Sequence, residues 1–173
     1  MSIDLASLEI LVYPAPVLRQ RAQRIETIDG AVRAVADRML ELMHQADGAG
    51  LAAPQVGLSW RMFVTRGDEN QPDRVFINPK LTALQGELVL REEGCLSVPG
   101  IQVDIRRLAS ATISARDRDG QTFSLQGDDL PARIWQHECD HLDGVLIIDR
   151  MAPIDRIATR KMLKELEASA AEG

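Results

Sequence analysis

Aromatic residues are scarce in this chain of 173 residues. They make up 3% of the sequence, so the core must rest on leucine, isoleucine, valine, alanine and methionine. Long hydrophobic runs are also missing, and no stretch approaches the ~18 apolar residues of a membrane-spanning helix. The net charge of −6 excludes a protein that coats nucleic acid with positive charge over its whole surface. We therefore expect neither DNA nor a membrane among its partners.

The chain also has few cysteines, namely Cys95 and Cys139. Residues 1–11 carry Asp4 and Glu9 and lack the basic and apolar segments of an export signal, which predicts a cytoplasmic location. Because the cytoplasm is reducing, we expect a cysteine to bind metal or to take part in catalysis rather than to form a disulfide. The ordinary balance of 45% hydrophobic and 27% charged residues predicts one globular catalytic domain over residues 1–173.

Hydrophobic periodicity predicts three helices. Asp29 is placed to cap a first helix over residues 31–46, in which apolar residues recur every three or four positions. Asp128 or Asp129 is placed to cap a second helix that ends near Gly144. Residues 153–173 form the third, at the carboxyl terminus.

Short apolar or alternating segments between these helices predict strands. The segments are residues 61–65, 74–77, 87–90, 101–105, 109–115, 122–125 and 145–148. The predicted fold class is α+β: antiparallel strands packed around a central metal-binding helix, with one helix in the amino-terminal half and one at the carboxyl terminus.

The strongest chemical signal lies in residues 136–141, with the sequence QHECDH. On a helix, His137 and His141 lie on one face, one turn apart, and suit joint capture of a metal ion. Glu138 lies next to that face and can act on a water molecule beside the metal without being a ligand. Cys139 points the opposite way. Two buried histidines without partners would be costly, which favours a metal over a chance spacing.

A metal at this helix needs a third ligand. Ile147 stands where metzincin-type proteases have a third histidine, and Glu165 is only loosely suitable as the glutamate of thermolysin-like proteases. His44 lies in the last turn of a helix, where a structural role is commoner. Cys95 is the better candidate because it lies in the compact run EGCLS; a small buried hydrophobe is the alternative.

Three motifs together resemble the peptide deformylase family. Residues 48–55 (GAGLAAPQ) resemble its G-x-G-L-A-A-P-Q, residues 93–97 its E-G-C-L-S, and residues 136–141 its Q-H-E-x-D-H. The likeness covers nearly the whole chain and includes the carboxyl-terminal helix of the usual bacterial form. It implies hydrolysis of the formyl group from the N-terminal formyl-methionine of nascent polypeptides, with release of formate.

The resemblance implies one metal ion held by Cys95, His137 and His141. Three protein ligands leave one coordination position open, as a catalytic rather than a structural metal requires. The ligand types alone do not choose between iron and zinc. The family resemblance implies Fe(2+), with Zn(2+), Ni(2+) or Co(2+) as substitutes.

The resemblance also implies which groups carry the reaction. Glu138 would be the general base, which then protonates the leaving amine. The side-chain amide of Gln55 and the backbone N–H of Leu96 would donate hydrogen bonds to the oxyanion of the tetrahedral intermediate.

Substrate binding is expected along Gly48, Ala49, Gly50 and Gly94. Glycines lack a Cβ, so a peptide backbone can approach closely and pair like an added strand, although Gly48 serves equally well as a turn residue. Ala49 stands where the family often has isoleucine or valine.

Three further expectations concern neighbouring residues. Ile101, Ile134 and the ring edge of His137 are candidates for the methionine pocket. Gln102 stands where many family members have an arginine near the peptide-binding strand. Asp140 is expected to support the helix or its ligands, with Arg107 as its partner.

Three rival functions remain open at this point. A zinc endopeptidase would share the His-Glu-x-x-His helix without needing Cys95. A cysteine hydrolase would use Cys95 as its nucleophile and would ignore chelators. A structural metal site in a binding module would be expected to use both cysteines, and would leave Glu138 and Gln55 without a role.

The carboxyl-terminal helix raises the question of a partner. Its basic residues contrast with the acidic chain and could contact ribosomal RNA near emerging nascent peptides. A solvated helix face balanced by Glu165 and Glu167 is an equal alternative. The basic residues are Arg150, Arg156, Arg160, Lys161 and Lys164.

Overall fold

The computed structural model describes residues 3–171 and has a five-stranded antiparallel sheet in the order β1-β2-β3-β4-β5. The strands are β1 (Gly50–Ala52), β2 (Met62–Thr65), β3 (Arg74–Gly94), β4 (Gln102–Arg116) and β5 (Thr122–Asp128). The helices are α1 (Gly30–Gln45), α2 (Leu130–Leu142), α3 (Ile147–Arg150) and α4 (Pro153–Ala171). The α+β prediction is confirmed. Residues 172–173 of the predicted last helix lie outside the described residues.

Helix α1 begins where the sequence predicts. The carboxylate of Asp29 accepts a hydrogen bond from the backbone N–H of Val32 over 3.0 Å, which satisfies one free donor of the first turn. Val35, Met39 and Met43 recur on one face and are fully buried. They pack in one core cluster with side chains of β1 and β2, so α1 covers the amino-terminal part of the sheet.

Helix α2 is the central helix that the sequence predicts. Trp135, Cys139 and Leu142 on one face pack in a core cluster with Phe63 and Phe76, whose stacked rings come from β2 and β3. The opposite face carries the motif residues and is turned toward a cavity. The apolar face of α2 therefore packs against the sheet, and its polar face borders the cavity.

The predicted side-chain cap of α2 is wrong. Asp129 precedes the helix, but its side chain makes no capping hydrogen bond and its carboxylate lies 3.3 Å from Arg91. Asp128 is the last residue of β5 and pairs with Ser110. Both carboxylates therefore contact side chains of the sheet, Arg91 on β3 and Ser110 on β4, instead of capping α2. Gly144 ends the turn after α2 with φ of 74°, as its position predicts.

Three strand predictions need correction. The predicted segments 101–105 and 109–115 lie in one continuous strand, β4, which begins at Gln102. Residues 74–77 and 87–90 belong to one strand, β3, whose pairing with β4 is interrupted by three register shifts. Residues 145–148 are not a strand, because Ile147–Arg150 form the short helix α3. The carboxylate of Asp149 accepts a hydrogen bond from Leu146 N–H over 2.8 Å and closes this turn. A short buried apolar run does not distinguish a strand from a helical turn by periodicity.

Helix α4 packs against the amino-terminal arm and the loop after β3. Leu163 and Leu166 contact the core cluster that contains Val98 and Ile101. The hydroxyl of Tyr13 donates a hydrogen bond to Glu167 over 2.8 Å. Within residues 3–171, none of the helices combines the length and the apolar character needed to cross a bilayer.

Candidate metal centre and active site

Cys95, His137 and His141 converge on one point. Cys95 directly follows the end of β3, and the two histidines lie one turn apart on α2. The Sγ atom of Cys95 is 3.3 Å from Nε2 of His141, which is 3.2 Å from Nε2 of His137. Ligand atoms of all three residues lie within 4.8 Å of one another. The structure thus brings together the three residues that the sequence nominates as metal ligands.

This arrangement fits a tetrahedral divalent metal. With a metal–sulfur bond of about 2.3 Å and metal–nitrogen bonds of about 2.1 Å, the ligand atoms of such a centre lie about 3.4–3.6 Å apart. The two measured separations are close to that spacing. Burial lowers the pKa of His141 well below its ordinary value, which favours the unprotonated ring that a metal ligand must have.

Glu93 fixes the orientation of His137, one of the three candidate ligands. Its Oε2 atom lies 3.1 Å from Nδ1 of His137, so the imidazole donates from Nδ1 and keeps the lone pair of Nε2 for the metal position. Arg107 donates two hydrogen bonds to Glu93, over 2.6 and 2.9 Å, and Arg133 donates a third over 2.6 Å. Burial alone would raise the pKa of Glu93, but the hydrogen bonds from His137 and Arg107 lower it to about 2.

The predicted partnership of Arg107 with Asp140 is confirmed. Arg107 donates to Oδ2 of Asp140 over 2.9 Å, and Arg150 donates to both oxygens of the same carboxylate. Arg107 is 5% exposed, so its charge needs the compensation that Glu93 and Asp140 provide. This network braces α2 against β4 directly behind the histidines.

Glu138 is buried beside the three ligands. Its Oε2 atom has no hydrogen-bond partner within residues 3–171, although the side chain borders the cavity. Burial raises the pKa of Glu138 to about 7, against the opposing attraction of His137 and Arg107. A buried carboxylate oxygen without a partner is costly. Its position next to a metal-ligand set is therefore the feature of this site that most needs a functional reason.

Gln55 is held in place through its carbonyl oxygen. Oε1 accepts a hydrogen bond from the backbone N–H of Ala52 over 2.8 Å. This leaves Nε2 to donate to Ser97 over 3.1 Å and to lie 3.7 Å from Sγ of Cys95. The backbone N–H of Leu96 forms no hydrogen bond with any residue between 3 and 171. Two donors thus lie beside the first metal ligand.

A cavity of about 870 Å³ opens onto these groups. Its walls contain the predicted substrate-binding residues Gly48, Ala49, Gly50 and Gly94. Ile101, Ile134 and His137, the candidates for a methionine pocket, also line it, as does Gln102.

Comparison with known proteins decides the family. The polypeptide deformylase family profile matches residues 7–157. The peptide deformylase of Azotobacter vinelandii is 46% identical over 163 residues, covering 93% of this chain and 96% of that protein. The peptide deformylase of Thermodesulfovibrio yellowstonii is 42% identical, covering 92% and 98%. The chain belongs to the peptide deformylase family.

Solved structures of peptide deformylases share the fold. The peptide deformylase 1B of Arabidopsis thaliana, in complex with an inhibitor, superposes with a TM-score of 0.90 at 41% identity, covering 95% of this chain and 93% of that one. The peptide deformylase of Synechococcus elongatus, in complex with actinonin, gives a TM-score of 0.85 at 41% identity, covering 89% and 86%. Peptide deformylases are metalloenzymes that deformylate nascent peptides, so the zinc endopeptidase alternative is not favoured.

Sequence reasoning missed two side chains of this deformylase site. Glu93 stands in the EGCLS motif, in which roles were predicted for Gly94, Cys95 and Leu96 but none for Glu93. Arg133 lies four residues before His137, on the same face of α2, and this spacing was a usable signal. Neither residue type suggests burial, yet Glu93 is 8% and Arg133 7% exposed.

Two residues lie apart from the metal ligands, as the sequence predicts. Cys139 is on the packed face of α2, where burial raises the pKa of its thiol to about 12. His44 is at the end of α1, where Nε2 lies 2.6 Å from Asp73. Neither belongs to the ligand group.

Proposed function

We propose that this deformylase removes the formyl group from the N-terminal formyl-methionine of nascent polypeptides with Glu138 as its general base and Fe(2+) held by Cys95, His137 and His141. The observation that carries the proposal is the unpartnered Oε2 of Glu138 beside the three ligand atoms. A divalent metal bound there would polarise the formyl carbonyl and make water more acidic. We assign this activity to one domain, residues 1–173.

Glu138 moves the proton in this proposal. Its carboxylate accepts a proton from the attacking water and then gives it to the nitrogen of the leaving amine, which separates formate from the peptide. Burial at the floor of the cavity supports this role because the carboxylate is kept from bulk water. A positioned acid–base group typically contributes about 10²–10⁴-fold to the rate.

Gln55 and Leu96 stabilise the oxyanion. The side-chain amide of Gln55 is already oriented by Ala52, so Nε2 needs little reorganisation to donate to a new oxygen. The free backbone N–H of Leu96 is the second donor. Loss of one such donor typically lowers turnover by about 10²–10³-fold.

The substrate lies along Gly48, Ala49, Gly50 and Gly94 as an added strand, with its methionine side chain toward Ile101 and Ile134. The position of all these residues in the wall of one cavity supports this placement. A formyl carbon carries only hydrogen, so close walls beside the ligands reject an acetyl group by steric clash.

The proposed iron makes the site sensitive to air. Cys95 is half-buried and borders the cavity, so with Fe(2+) bound and molecular oxygen as the oxidant its sulfur would be open to oxidation from sulfenic to sulfonic acid. We expect the iron-loaded enzyme to lose activity in aerated buffer faster than the nickel-loaded enzyme. Zinc and cobalt fit the same donor set. Equal half-lives of the iron and nickel forms would contradict the proposal.

We place the enzyme in the cytoplasm. Both cysteines are free thiols, which supports a reducing compartment. The related Arabidopsis thaliana protein is named chloroplastic/mitochondrial, so fractionation of the source cells tests the location directly. Recovery of the native chain in a fraction other than the cytoplasm would overturn it.

The ribosome is the proposed partner of α4. Ile154 and Ile157 are 69% and 72% exposed and share one stripe of the helix with Lys161 and Lys164, opposite the packed residue Leu163. A mixed basic and apolar stripe suits the phosphates and grooves of ribosomal RNA near an emerging chain.

Co-sedimentation with ribosomes tests this partner. Changing Lys161 and Lys164 together to glutamate should abolish binding, whereas Arg118→Glu, far along the chain at an exposed hairpin, should leave it unchanged. Binding should also weaken as salt is raised. Equal binding by both variants would exclude the α4 stripe.

The assay for the function is formate release from formyl-Met-Ala-Ser by protein purified without oxygen. Release should stop with a chelator and return when metal is added back, whereas a cysteine hydrolase would be indifferent to chelation. Acetyl-Met-Ala-Ser should not be cleaved. The Glu138→Gln variant should lose about 10²–10⁴-fold in kcat with its metal retained.

Glu87→Gln is the matched control, because Glu87 is exposed on β3 and forms no ion pair within the described residues. It should behave as the native enzyme. If well-metallated native protein releases no formate, the function fails. If Glu138→Gln keeps native turnover, the assigned base is wrong while the function stands.

A further inference from the structure

Gly50 and Glu138 lie so close together that a side chain at position 50 would clash with Glu138. A Cβ atom built on Gly50 would lie 2.4 Å from Oε1 of Glu138, 2.9 Å from Cδ and 3.0 Å from Cγ. Comfortable contacts of a carbon atom are about 3.5–4.0 Å. The whole end of the Glu138 side chain therefore lies against the bare backbone of β1.

Neither partner has room to move away. Gly50 pairs with Thr65 on β2, and the next residues of β1, Leu51 and Ala52, are fully buried. Glu138 lies in the interior of α2 and is 3% exposed. A methyl group at position 50 would thus have to displace the carboxylate rather than the strand or the helix.

Within residues 3–171, no hydrogen bond fixes the direction of the Glu138 carboxylate. Its Oε2 atom lacks a hydrogen-bond partner within residues 3–171. The hydrogen bond with Glu93 orients His137 of the same helix, but a base that must accept a proton from water cannot be held by such a bond. Shape is the remaining means of holding it.

We propose that Gly50 is a positioning residue, whose missing side chain forms the slot that holds the Glu138 carboxylate at the cavity wall. The inference rests on the proposed role of Glu138. It differs from the use of Gly50 as a place where substrate backbone approaches, because a slot for the base governs kcat whereas a substrate contact governs KM.

The other glycines of the cavity wall do not share this constraint. A Cβ on Gly48 would meet the flexible end of Leu96 at 2.8 Å, and one on Gly94 would meet nothing closer than 3.7 Å. The slot at Gly50 is thus specific to the proposed base.

A stability cycle tests the slot without reference to activity. Gly50→Ala in the native background should lower the unfolding midpoint by roughly 3–10 °C, the size expected of overpacking in a chain of this length. In a Glu138→Ala background, where the methyl group has space, the same change should cost less than about 1 °C. Gly30→Ala, which has no atom within 4 Å of the new Cβ, should act equally in both backgrounds. An equal cost of Gly50→Ala in both backgrounds would overturn the slot.

Kinetics of the metal-loaded enzyme test what the slot does. Gly50→Ala should lower kcat by about 10²-fold or more with the metal content unchanged, and a rise in KM beside this loss would report the substrate contact that Gly50 also makes. Glu138→Asp, whose carboxylate is one methylene shorter, should cost much less in the Gly50→Ala background than in the native one. Gly30→Ala should keep native kcat.

A rise in KM with unchanged kcat would instead assign Gly50 to substrate contact, and multiplicative losses in the double variant would also overturn the proposal. Failure of the proposed function and failure of the slot give different results. Native enzyme that releases no formate would remove the proposed function, whereas active native enzyme with an indifferent Gly50→Ala variant would remove only the slot.

Discussion

His137 and His44 each lie against a carboxylate, but in very different surroundings. Nδ1 of His137 is 3.1 Å from Glu93, and the two side chains are 13% and 6% exposed. Nε2 of His44 is 2.6 Å from Asp73, and those side chains are 41% and 33% exposed. The shorter contact, between His44 and Asp73, is the more exposed one, so water screens the attraction between its charges. Burial, rather than distance, therefore decides which pair the enzyme depends on.

The carboxylates of the two pairs also have different duties. Glu93 compensates two buried guanidinium groups, those of Arg107 and Arg133, while it orients a metal ligand. Asp73 accepts a backbone N–H from Gly67 and ties a surface loop to the end of α1. Removing the Glu93 carboxylate should thus disturb the whole active site. Removing the Asp73 carboxylate should affect only the surface loop and the end of α1.

The largest expected difference is between the two histidines. His137→Ala removes one of three metal ligands, so we expect metal affinity and formate release to fall by more than about 100-fold, beyond the effect typical of an outer partner. His44→Ala should keep native metal content and turnover. Metal analysis after dialysis and the formate assay give both values. Native metal content in His137→Ala would contradict the ligand assignment.

Changing the carboxylates should give an intermediate effect. Glu93→Gln leaves buried positive charge uncompensated and weakens the hold on His137, so we expect a loss of about 3–5 kcal/mol in the free energy of unfolding and about 10–100-fold in metal affinity or turnover. Asp73→Asn should cost less than about 1 kcal/mol and leave turnover unchanged. Denaturant unfolding of both variants measures this contrast, and similar losses would show that burial does not separate the pairs.

The smallest expected effect concerns pH. Burial raises the pKa of Asp73, but the hydrogen bonds from Gly67 and His44 outweigh it and lower the pKa below the ordinary 3.8. A lowered folded-state pKa stabilises the fold above the unfolded value and less as pH falls through the folded one. The stability difference between native and Asp73→Asn protein should therefore be present above pH 3.8 and shrink below it. A difference that grows on acidification would contradict this pair.

The sequence could bring the candidate metal ligands together because the spacing of the two histidines follows from helix geometry. His137 and His141 must share a face of α2 whatever the rest of the fold does, and Cys95 stands in a motif that resembles the family. The helices α1 and α2 were predicted for the same reason. Their apolar faces repeat over several turns, so the period is unambiguous.

Features that depend on tertiary contacts could not be predicted. The short apolar run at residues 145–148 has no periodicity that distinguishes a strand from a helix. The hydrogen bond from Leu146 N–H to the Asp149 carboxylate stabilises the helical turn. The contact between Gly50 and Glu138 joins positions 88 residues apart and exists only when β1 lies across α2. Glu93 was visible in its motif, but the buried arginines that hold it come from β4 and α2.

The account depends on one metal centre that uses Cys95 and excludes Cys139, and cobalt substitution tests it most directly. Cobalt bound to a thiolate gives a sulfur-to-metal charge-transfer absorption band that histidine ligands alone do not give. We predict one cobalt per chain and this band in the native protein and in Cys139→Ser, and loss of the band in Cys95→Ser. A band that persists in Cys95→Ser, or disappears in Cys139→Ser, would contradict the centre described above.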